Sequence, residues 1–185
     1  MSHSLHVLAL CGSLRKTSTN MGMLRYARDH APEGMAIEIA DLSLVPFFNQ
    51  DREADKPAAV KTLLAQFEKA GALLVGCTEY NYSMAPVLKN ALDWASREKD
   101  NGLLAGKPVA IMGAGGSLGT SRAQYHFRQT CVCLSLYPLA QLEIFVNAFV
   151  PERFDDSGNL LDESIQKRVV QQLEALAVWA AQLRK

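Results

Sequence analysis

The chain has 185 residues and a mass of 20.3 kDa, with 49% hydrophobic and 21% charged residues, the usual balance of a globular protein. Its 19 basic residues equal its 19 acidic residues, so no overall field attracts nucleic acid or an anionic membrane. These figures exclude the disordered and fibrous classes and predict a single domain over residues 1–185, since a chain of this size buries roughly 70% of its unfolded surface.

Membrane and export signals are weak in this sequence. Residues 129–142 carry no charge, but they fall short of the about 20 apolar residues that a spanning helix needs, and Pro138 interrupts them. The first residues lack a basic region, and the apolar run 7–10 is too short for a signal peptide. We therefore expect a cytoplasmic protein.

The cysteines show no metal-binding pattern. They form no CxxC pair, and no histidine lies at ligand spacing beside them. This predicts no metal site and four reduced, buried thiols: Cys11, Cys77, Cys131 and Cys133.

Short apolar runs alternate with segments of helical spacing along the whole chain. Strands are predicted at residues 5–10, 36–39, 72–77, 108–112 and 139–145. Helices are predicted at 20–30, from Pro57 to Gly71, at 86–97, at 121–136, and after Asp162, which can cap the last one. This alternation predicts an α/β fold with a parallel sheet and helices on both faces.

Five strands in a chain of this size predict a flavodoxin-like doubly wound sheet, with strand order 2-1-3-4-5. Such sheets bind ligands at the carboxyl ends of their strands, near the point where the strand order reverses. The loops after the first, third and fourth strands are therefore the candidate site.

The loop after the first strand, residues 12–20, reads Gly-Ser-Leu-Arg-Lys-Thr-Ser-Thr-Asn. Its hydroxyls and backbone amides precede a helix, whose dipole favours an anion, and Arg15 adds a positive fork, so the loop predicts a phosphate site. It lacks the Gly-Lys-Ser/Thr of a Walker A loop, which argues against triphosphate hydrolysis. A turn that only caps the helix is the alternative.

The loop after the third strand, residues 78–86, reads Thr-Glu-Tyr-Asn-Tyr-Ser-Met-Ala-Pro. Tyr80, Asn81 and Tyr82 there offer an apolar wall with hydrogen-bonding edges, which suits a planar heterocycle. The alternative is a turn whose tyrosines pack on neighbouring helices. The polar and aromatic side chains that follow are interpreted as structural: Lys89, Asn90, Asp93 and Trp94.

The loop after the fourth strand, residues 113–120, is rich in glycine. It departs from the dinucleotide fingerprint G-x-G-x-x-G, because Leu118 takes the place of the third glycine and the fingerprint belongs after a first strand. Its glycines are better explained by close approach of the backbone to a ring system. A further long connection, residues 41–56, carries Phe47 and Phe48 and is expected to border the site and gate acceptors.

Taken together, these loops resemble the NADPH-dependent FMN reductases, flavodoxin-like proteins that reduce quinones, azo dyes and chromate. The residues that carry the resemblance are Gly12-Ser13-x-Arg15-x-x-Ser18-x-Asn20, Glu79-Tyr80-Asn81-Tyr82-Ser83, Leu88-Lys89-Asn90-Ala91-Leu92-Asp93-Trp94, and Arg122-Ala123-Gln124-Tyr125-His126-Phe127-Arg128-Gln129 after the glycine-rich turn.

The resemblance implies an oxidoreductase in which FMN takes a hydride from NADPH or NADH and passes it to a small acceptor: a quinone, azo compound, free flavin or metal oxyanion such as chromate. No catalytic side chain is expected, because the chemistry belongs to the flavin. The implied FMN-binding residues are Ser13, Arg15, Ser18, Thr19, Asn20, Glu79, Tyr80, Asn81, Ser83, Gly113, Gly115, Gly116 and Ser117, with Phe47, Phe48 and Tyr82 on the substrate side.

The resemblance also implies a homodimer or homotetramer, assembled through the helix at 121–136. Three alternatives to a reductase stay open. A flavodoxin-type FMN electron carrier would be strongly acidic and would lack an arginine in its phosphate loop, whereas this chain is neutral and has Arg15 and Lys16. A receiver domain needs carboxylates where Cys11, Gly12 and Ser13 stand. A scaffold without a cofactor is the third.

Overall fold

The computed structural model describes residues 4–183, and in them strands alternate with helices as predicted. The strands are β1 Leu5–Cys11, β2 Met35–Ile39, β3 Ala72–Gly76, β4 Glu79–Tyr80, β5 Ser83–Met84, β6 Pro108–Gly115, β7 Tyr137–Pro138 and β8 Ile144–Asn147. The helices are α1 Thr19–Asp29, α2 Ala58–Lys69, α3 Pro86–Ala95, α4 Ser121–Leu134 and α5 Glu163–Leu183, with short 3-10 turns at Gln50–Arg52 and Lys99–Asn101.

The main sheet is parallel, with the order β2-β1-β3-β6-β8, which confirms the predicted flavodoxin-like arrangement. In its register, Val7 of β1 pairs with Ala72 of β3, and Leu73 of β3 pairs with Val109 of β6. The strand order reverses between β1 and β3. The carboxyl ends of these two strands therefore form the switch point at which such folds bind ligands.

The core lies on both faces of the sheet, which explains why β1 and β3 are apolar throughout. Because side chains alternate along a strand, Leu8 and Leu10 face one layer while Val7 and Ala9 face the other. The first layer comes from α2, α3 and α4 through Val60, Leu63, Phe67, Leu88, Trp94 and Phe127. The second comes from α1 and α5 through Met23, Leu24, Val169, Leu173 and Leu176.

The edge of the sheet next to β6 is built differently from the single strand that was predicted at residues 139–145. It consists of two pieces: β7 pairs with the start of β6, and β8 pairs with its end. Between them the chain leaves the sheet, and Leu142 adopts a left-handed φ of 61°. Gln172 of α5 covers this gap, because its Nε2 donates to the carbonyl oxygens of Ile111, at 2.9 Å, and Leu142, at 2.6 Å.

The long connection 41–56 is anchored to α3 by buried side chains. Asn90 Oδ1 accepts the amide of Phe48 at 2.7 Å, and Asn90 Nδ2 donates to the carbonyl of Pro46 at 3.0 Å. Trp94 Nε1 donates to the same carbonyl at 2.8 Å. Asn90 and Trp94 therefore have the structural role that was predicted for them. They hold the backbone on both sides of Phe47, at Pro46 and Phe48.

Several smaller expectations concern helix ends and cysteines. Asp162 caps α5 as predicted, with its Oδ1 accepting the amides of Ser164 and Ile165 at 2.9 and 3.2 Å. The four cysteines are free, but only three are buried, and the prediction is wrong for Cys133, which is exposed on α4. None of the helices within residues 4–183 is long and apolar enough to cross a membrane. Residues 1–3, part of the stretch used to argue against a signal peptide, lie outside the described residues.

We predict that Gln172→Leu lowers the free energy of unfolding by about 1–3 kcal/mol, because the buried carbonyl of Ile111 and the partly buried carbonyl of Leu142 lose their donor. Denaturant unfolding measures the change. The control is Gln171→Leu, one residue away on the exposed side of α5, where a change within about 0.5 kcal/mol is expected. Equal effects of the two substitutions would contradict the role assigned to Gln172.

Candidate cofactor and substrate site

A cavity of about 330 Å³ lies at the carboxyl ends of β1, β3, β6 and β8. It brings together residues from all three loops selected by sequence, together with two residues that follow β8. Its lining is Ser13, Arg15, Ser18, Thr19, Asn20, Thr78, Glu79, Tyr80, Ala114, Gly115, Gly116, Ala148 and Phe149. We call it the first cavity.

One end of the first cavity is built by the amino terminus of α1. Thr19 and Asn20 open the helix, so their backbone amides have no acceptor within it, whereas Ser18 Oγ caps the amide of Met21 at 3.2 Å. Ser13 Oγ accepts the amide of Arg15 at 3.3 Å, which shapes the loop before the helix. These amides and hydroxyls, with the helix dipole behind them, form an anion site.

Arg15 supplies a positive charge beside this anion site. Its guanidinium is exposed, and its one recorded contact is Nη2 to Thr17 Oγ1 at 3.5 Å. Within residues 4–183 it pairs with no carboxylate. The charge of Arg15 is therefore available for an anionic ligand.

The side chain of Asn20 has a structural role. It is buried, donates from Nδ2 to the carbonyl of Ala114 at 2.8 Å and accepts the amide of Ala114 on Oδ1 at 2.9 Å. Both polar atoms thus tie α1 to β6. The phosphate contact of Asn20 stays a prediction, and the backbone amide of this residue at the start of α1 is the group left to make it.

A turn after β8 supports the start of α1 from behind. A Cβ on Gly22 would lie 1.7 Å from the carbonyl oxygen of Gly158, and Gly158 has a φ of 77° against the backbone of Thr17 and Ser18. Arg25 fastens the turn by donating to Asn159 Oδ1 at 2.7 Å. Since only glycine fits at these two contacts, the backbone of the anion site is held in one place.

The wall after β3 is a hairpin made by β4 and β5, with Asn81 and Tyr82 at its tip in the left-handed region, at φ 50° and 68°. The carboxylate of Glu79 in this hairpin binds to α4. Its Oε1 accepts hydrogen bonds from Nη2 and Nε of Arg122 at 2.6 and 2.7 Å, and its Oε2 accepts the amide of Ala123 at 3.2 Å. The Arg122 guanidinium also lies 3.7 Å from the ring centre of Tyr82. Helix α4 therefore holds the hairpin in a strained turn.

Only part of this hairpin reaches the first cavity. Glu79 and Tyr80 line it, whereas Asn81 and Tyr82 lie at the exposed tip, and Ser83 Oγ lies 3.1 Å from His126 Nδ1 on α4. The loop selected from the sequence therefore reaches the first cavity through Glu79 and Tyr80, whereas three of its side chains, Asn81, Tyr82 and Ser83, contact α4 or solvent.

Only some residues of the glycine-rich turn line the first cavity. Gly115 and Gly116 line the first cavity, and a Cβ on Gly116 would meet open space. Gly113 is buried instead, where a Cβ would lie 2.0 Å from Thr120 Oγ1, so glycine is needed there for packing. Ser117 is exposed within the turn that the Gly116 to Gly119 bridge closes. Gly113 and Ser117 therefore do not line the cavity.

A second cavity of about 530 Å³ adjoins the first and shares Arg15 and Tyr80 with it. Its other lining residues are mostly apolar: Gly12, Leu14, Leu42, Ser43, Val45, Phe47, Ala85, Pro86, Val87 and Asn90. Phe47 is 77% exposed at its border. Phe48 does not line it, because its ring packs edge-to-face on Trp94 at 5.1 Å, so the prediction that Phe48 gates the site is wrong.

The thiols near the site are protonated at neutral pH. Burial raises the pKa of Cys11, whose Sγ accepts the amide of Ser13, and burial raises that of Cys77 further. Neither thiol therefore places a negative charge beside the anion site. No group of three or more possible metal ligands occurs among the residues that the structure describes.

Sequence reasoning missed Ala148 and Phe149. They follow β8, and the rule that parallel strands end at the same edge of a sheet applies to that fifth strand as it does to the other three. Applying the rule to every strand would have selected this loop. No signal in the composition of residues 148–149 marks them otherwise.

Comparison with known proteins agrees with this geometry. The family model described as NADPH-dependent FMN reductase matches residues 5–150. An NAD(P)H-dependent FMN reductase of Pseudomonas aeruginosa is 46% identical over 186 residues, with 100% of both chains covered. An NADPH:quinone oxidoreductase of Arabidopsis thaliana is 41% identical, covering 97% of this chain and 94% of its own.

A solved structure extends the likeness to three dimensions. The flavoenzyme FerB of Paracoccus denitrificans, an NAD(P)H:(acceptor) oxidoreductase, superposes with a TM-score of 0.86 at 27% identity, covering 96% of this chain and 98% of its own. The sequence match includes β1 to β8 and therefore every loop that lines the first cavity. The chain belongs to the NADPH-dependent FMN reductase family.

Proposed function

We propose that the protein is an FMN-dependent oxidoreductase that takes a hydride from NAD(P)H and reduces quinones. The observation that carries this proposal is the first cavity, in which the anion site of α1 with Arg15 meets the wall formed by Tyr80 and the glycine-rich turn. Bound FMN would supply the capacity to accept a hydride and release two electrons. The relatives named as FMN and quinone reductases support this choice.

The residues present fit FMN at both ends. Ser13, Ser18 and the amides of Thr19 and Asn20 would hold the phosphate, with Arg15 offsetting its charge. In the cavity wall, the buried hydroxyl of Thr78 has no hydrogen-bond partner among the described residues. Such a group favours a ligand with a hydrogen-bonding edge. The backbone at Gly116 is open to close approach by a ring.

The protein's own contribution is therefore binding and orientation. Arg15 and the helix amides fix the phosphate, and Tyr80 with the glycine turn excludes water from the ring. The second cavity, which is apolar and shares Arg15 and Tyr80, would receive the hydride donor and the acceptor in turn. Azo compounds, free flavin and chromate stay predictions as further acceptors, as does the cytoplasmic location.

An electron carrier would bind FMN in a similar fold without turning over a small substrate. The second cavity, with a volume of about 530 Å³ beside the first, favours a reductase, since it gives a small molecule access to the flavin site. The purified protein should show the visible bands of oxidised flavin and consume NADPH with a free quinone and no partner protein. A flavin-containing protein that oxidises no NADPH would identify a carrier.

Arg15→Ala should weaken FMN binding by roughly tenfold to a hundredfold, because a charge-assisted hydrogen bond contributes about 1.5–3 kcal/mol. Riboflavin, which lacks the phosphate, should bind nearly as before. Fluorescence titration measures both, and Arg52→Ala, at an exposed arginine of the 41–56 connection, is the control. An equal loss for riboflavin would make Arg15 a loop-stabilising residue, and no loss for either ligand would mean that the phosphate site is misplaced.

Phe47→Ala should raise the KM for quinone several-fold and the KM for NADPH less, with the melting temperature nearly unchanged, because Phe47 is exposed at the border of the second cavity. The matched control is Phe48→Ala, which removes packing on Trp94 and should lower the melting temperature. Steady-state kinetics and thermal unfolding separate the two. The gate is refuted if Phe47→Ala changes both KM values equally.

The oligomeric state is also a proposal: we expect a homodimer or homotetramer assembled through α4. Arg122 and Arg128 of this helix are bound to Glu79 and the carbonyl of Leu139, but Tyr125 is 54% exposed and Val132 is 82% exposed. Light scattering should give at least twice the chain mass, and Val132→Glu should reduce it. A particle of one chain mass at working concentration would exclude assembly.

A further inference from the structure

A third cavity, of about 310 Å³, lies on the β2 side of the loop that follows β1, and the proposed function does not use it. It opens where β1 and β2 end and shares Leu14, Arg15, Leu42 and Ser43 with the second cavity. The two cavities therefore meet along one stretch of surface. A ligand longer than a quinone can occupy both.

The third cavity contains an unpaired cation. Lys16 lines it and is exposed, and within residues 4–183 no carboxylate lies within 4.0 Å of its ammonium. Arg15 lies in the same wall but also lines the first cavity, where the FMN phosphate is proposed to bind. Lys16 is therefore the charge that is left for a second anion.

Asp41, which also lines the third cavity, supplies an ionised carboxylate. Asp41 Oδ1 accepts the hydroxyl of Ser43 at 2.6 Å and its amide at 2.9 Å. These hydrogen bonds lower the pKa of Asp41, so the carboxylate is charged at neutral pH. Oδ2 takes part in none of the recorded hydrogen bonds of the described residues and can accept one from a ligand hydroxyl. Met21, Ile39 and Leu42 add apolar surface to the lining of the same cavity.

This combination has the chemistry of an adenosine site. In dinucleotide-binding sheets of the Rossmann type, which are also doubly wound, a carboxylate about 20 residues beyond the glycine-rich turn binds a ribose hydroxyl, and a nearby arginine accommodates a 2′-phosphate. The third cavity offers a carboxylate and a cation by analogy, and its apolar residues suit a purine base. We propose that the third cavity binds the adenosine end of the nicotinamide coenzyme, with Asp41 contacting the ribose hydroxyls and Lys16 contacting the 2′-phosphate of NADPH.

The proposal rests on the proposed function, because it places the nicotinamide end of the same coenzyme in the second cavity. The pyrophosphate would then cross the stretch that the two cavities share. Asp41 and Lys16 act with opposite sign on coenzyme choice. The carboxylate repels a 2′-phosphate and favours NADH, whereas the ammonium attracts the phosphate and favours NADPH.

The opposite signs give a two-sided test. Lys16→Gln should raise the ratio of the KM for NADPH to the KM for NADH about tenfold, the effect of losing one charge-assisted contact. Asp41→Asn should lower the same ratio. Lys61→Gln, which removes one positive charge from the exposed side of α2, where it pairs with Asp55, is the matched control and should leave the ratio unchanged.

Equilibrium binding provides a second readout. The FMN-loaded protein should bind adenosine 2′,5′-bisphosphate more tightly than adenosine 5′-monophosphate in calorimetry, and Lys16→Gln should remove that difference. The proposal is overturned if the wild type does not bind adenosine 2′,5′-bisphosphate, or if Lys16→Gln leaves the KM ratio unchanged. It is also overturned if Lys16→Gln lowers the affinity for FMN instead of changing the KM ratio, because Lys16 would then contact the FMN phosphate. Failure of the proposed function is distinguishable, because the wild type would then bind no FMN or oxidise neither coenzyme.

Discussion

The contact between the start of α1 and the carboxyl edge of the sheet determines where this protein can bind an anion. Two helix amides without acceptors lie at that point, and an anion site is useful only if they keep a fixed position relative to the wall of the cavity. The side chain of Asn20 fixes their position by hydrogen bonding to both backbone groups of Ala114. Gly158 packs against the backbone of the preceding residues, Thr17 and Ser18. The first cavity exists in its present shape because these contacts hold.

Electrostatics in this protein is local. The chain carries no formal net charge, so attraction of a phosphate depends on where single charges lie rather than on the field of the whole molecule. Arg15 and Lys16 are adjacent in sequence, yet one lines all three cavities and the other only the third. One loop can in this way offer separate cations to two anionic ligands. Salt should weaken both contacts, since both side chains are exposed.

The order of strands and helices could be predicted because every central strand is a short apolar run and every helix has an apolar stripe. The three loops that meet in the first cavity could be selected because the ends of parallel strands converge. What periodicity cannot show is which polar side chain has a partner elsewhere in the fold. Asn20 and Glu79 lie in the expected motifs, but their side chains are bound to β6 and α4. Phe47 and Phe48 are neighbours with opposite environments, and the break in the edge strand depends on Gln172, far away in sequence.

Four polar side chains that join separate elements indicate what gives this fold a single arrangement. Apolar layers tolerate small shifts between a helix and a sheet, because contacts of similar quality re-form after the shift. A buried amide or carboxylate does not, since a displaced partner leaves it unsatisfied at a cost of about 1–3 kcal/mol. Asn20 joins α1 to β6, Asn90 joins α3 to the 41–56 connection, Glu79 joins the hairpin to α4, and Gln172 joins α5 to the sheet edge. Three of these four, Asn20, Glu79 and Asn90, are themselves part of a cavity wall. The walls are therefore held in place by side chains whose hydrogen bonds join two elements of the fold, and we expect the geometry of the cavities to be more sensitive to these side chains than to most of the core.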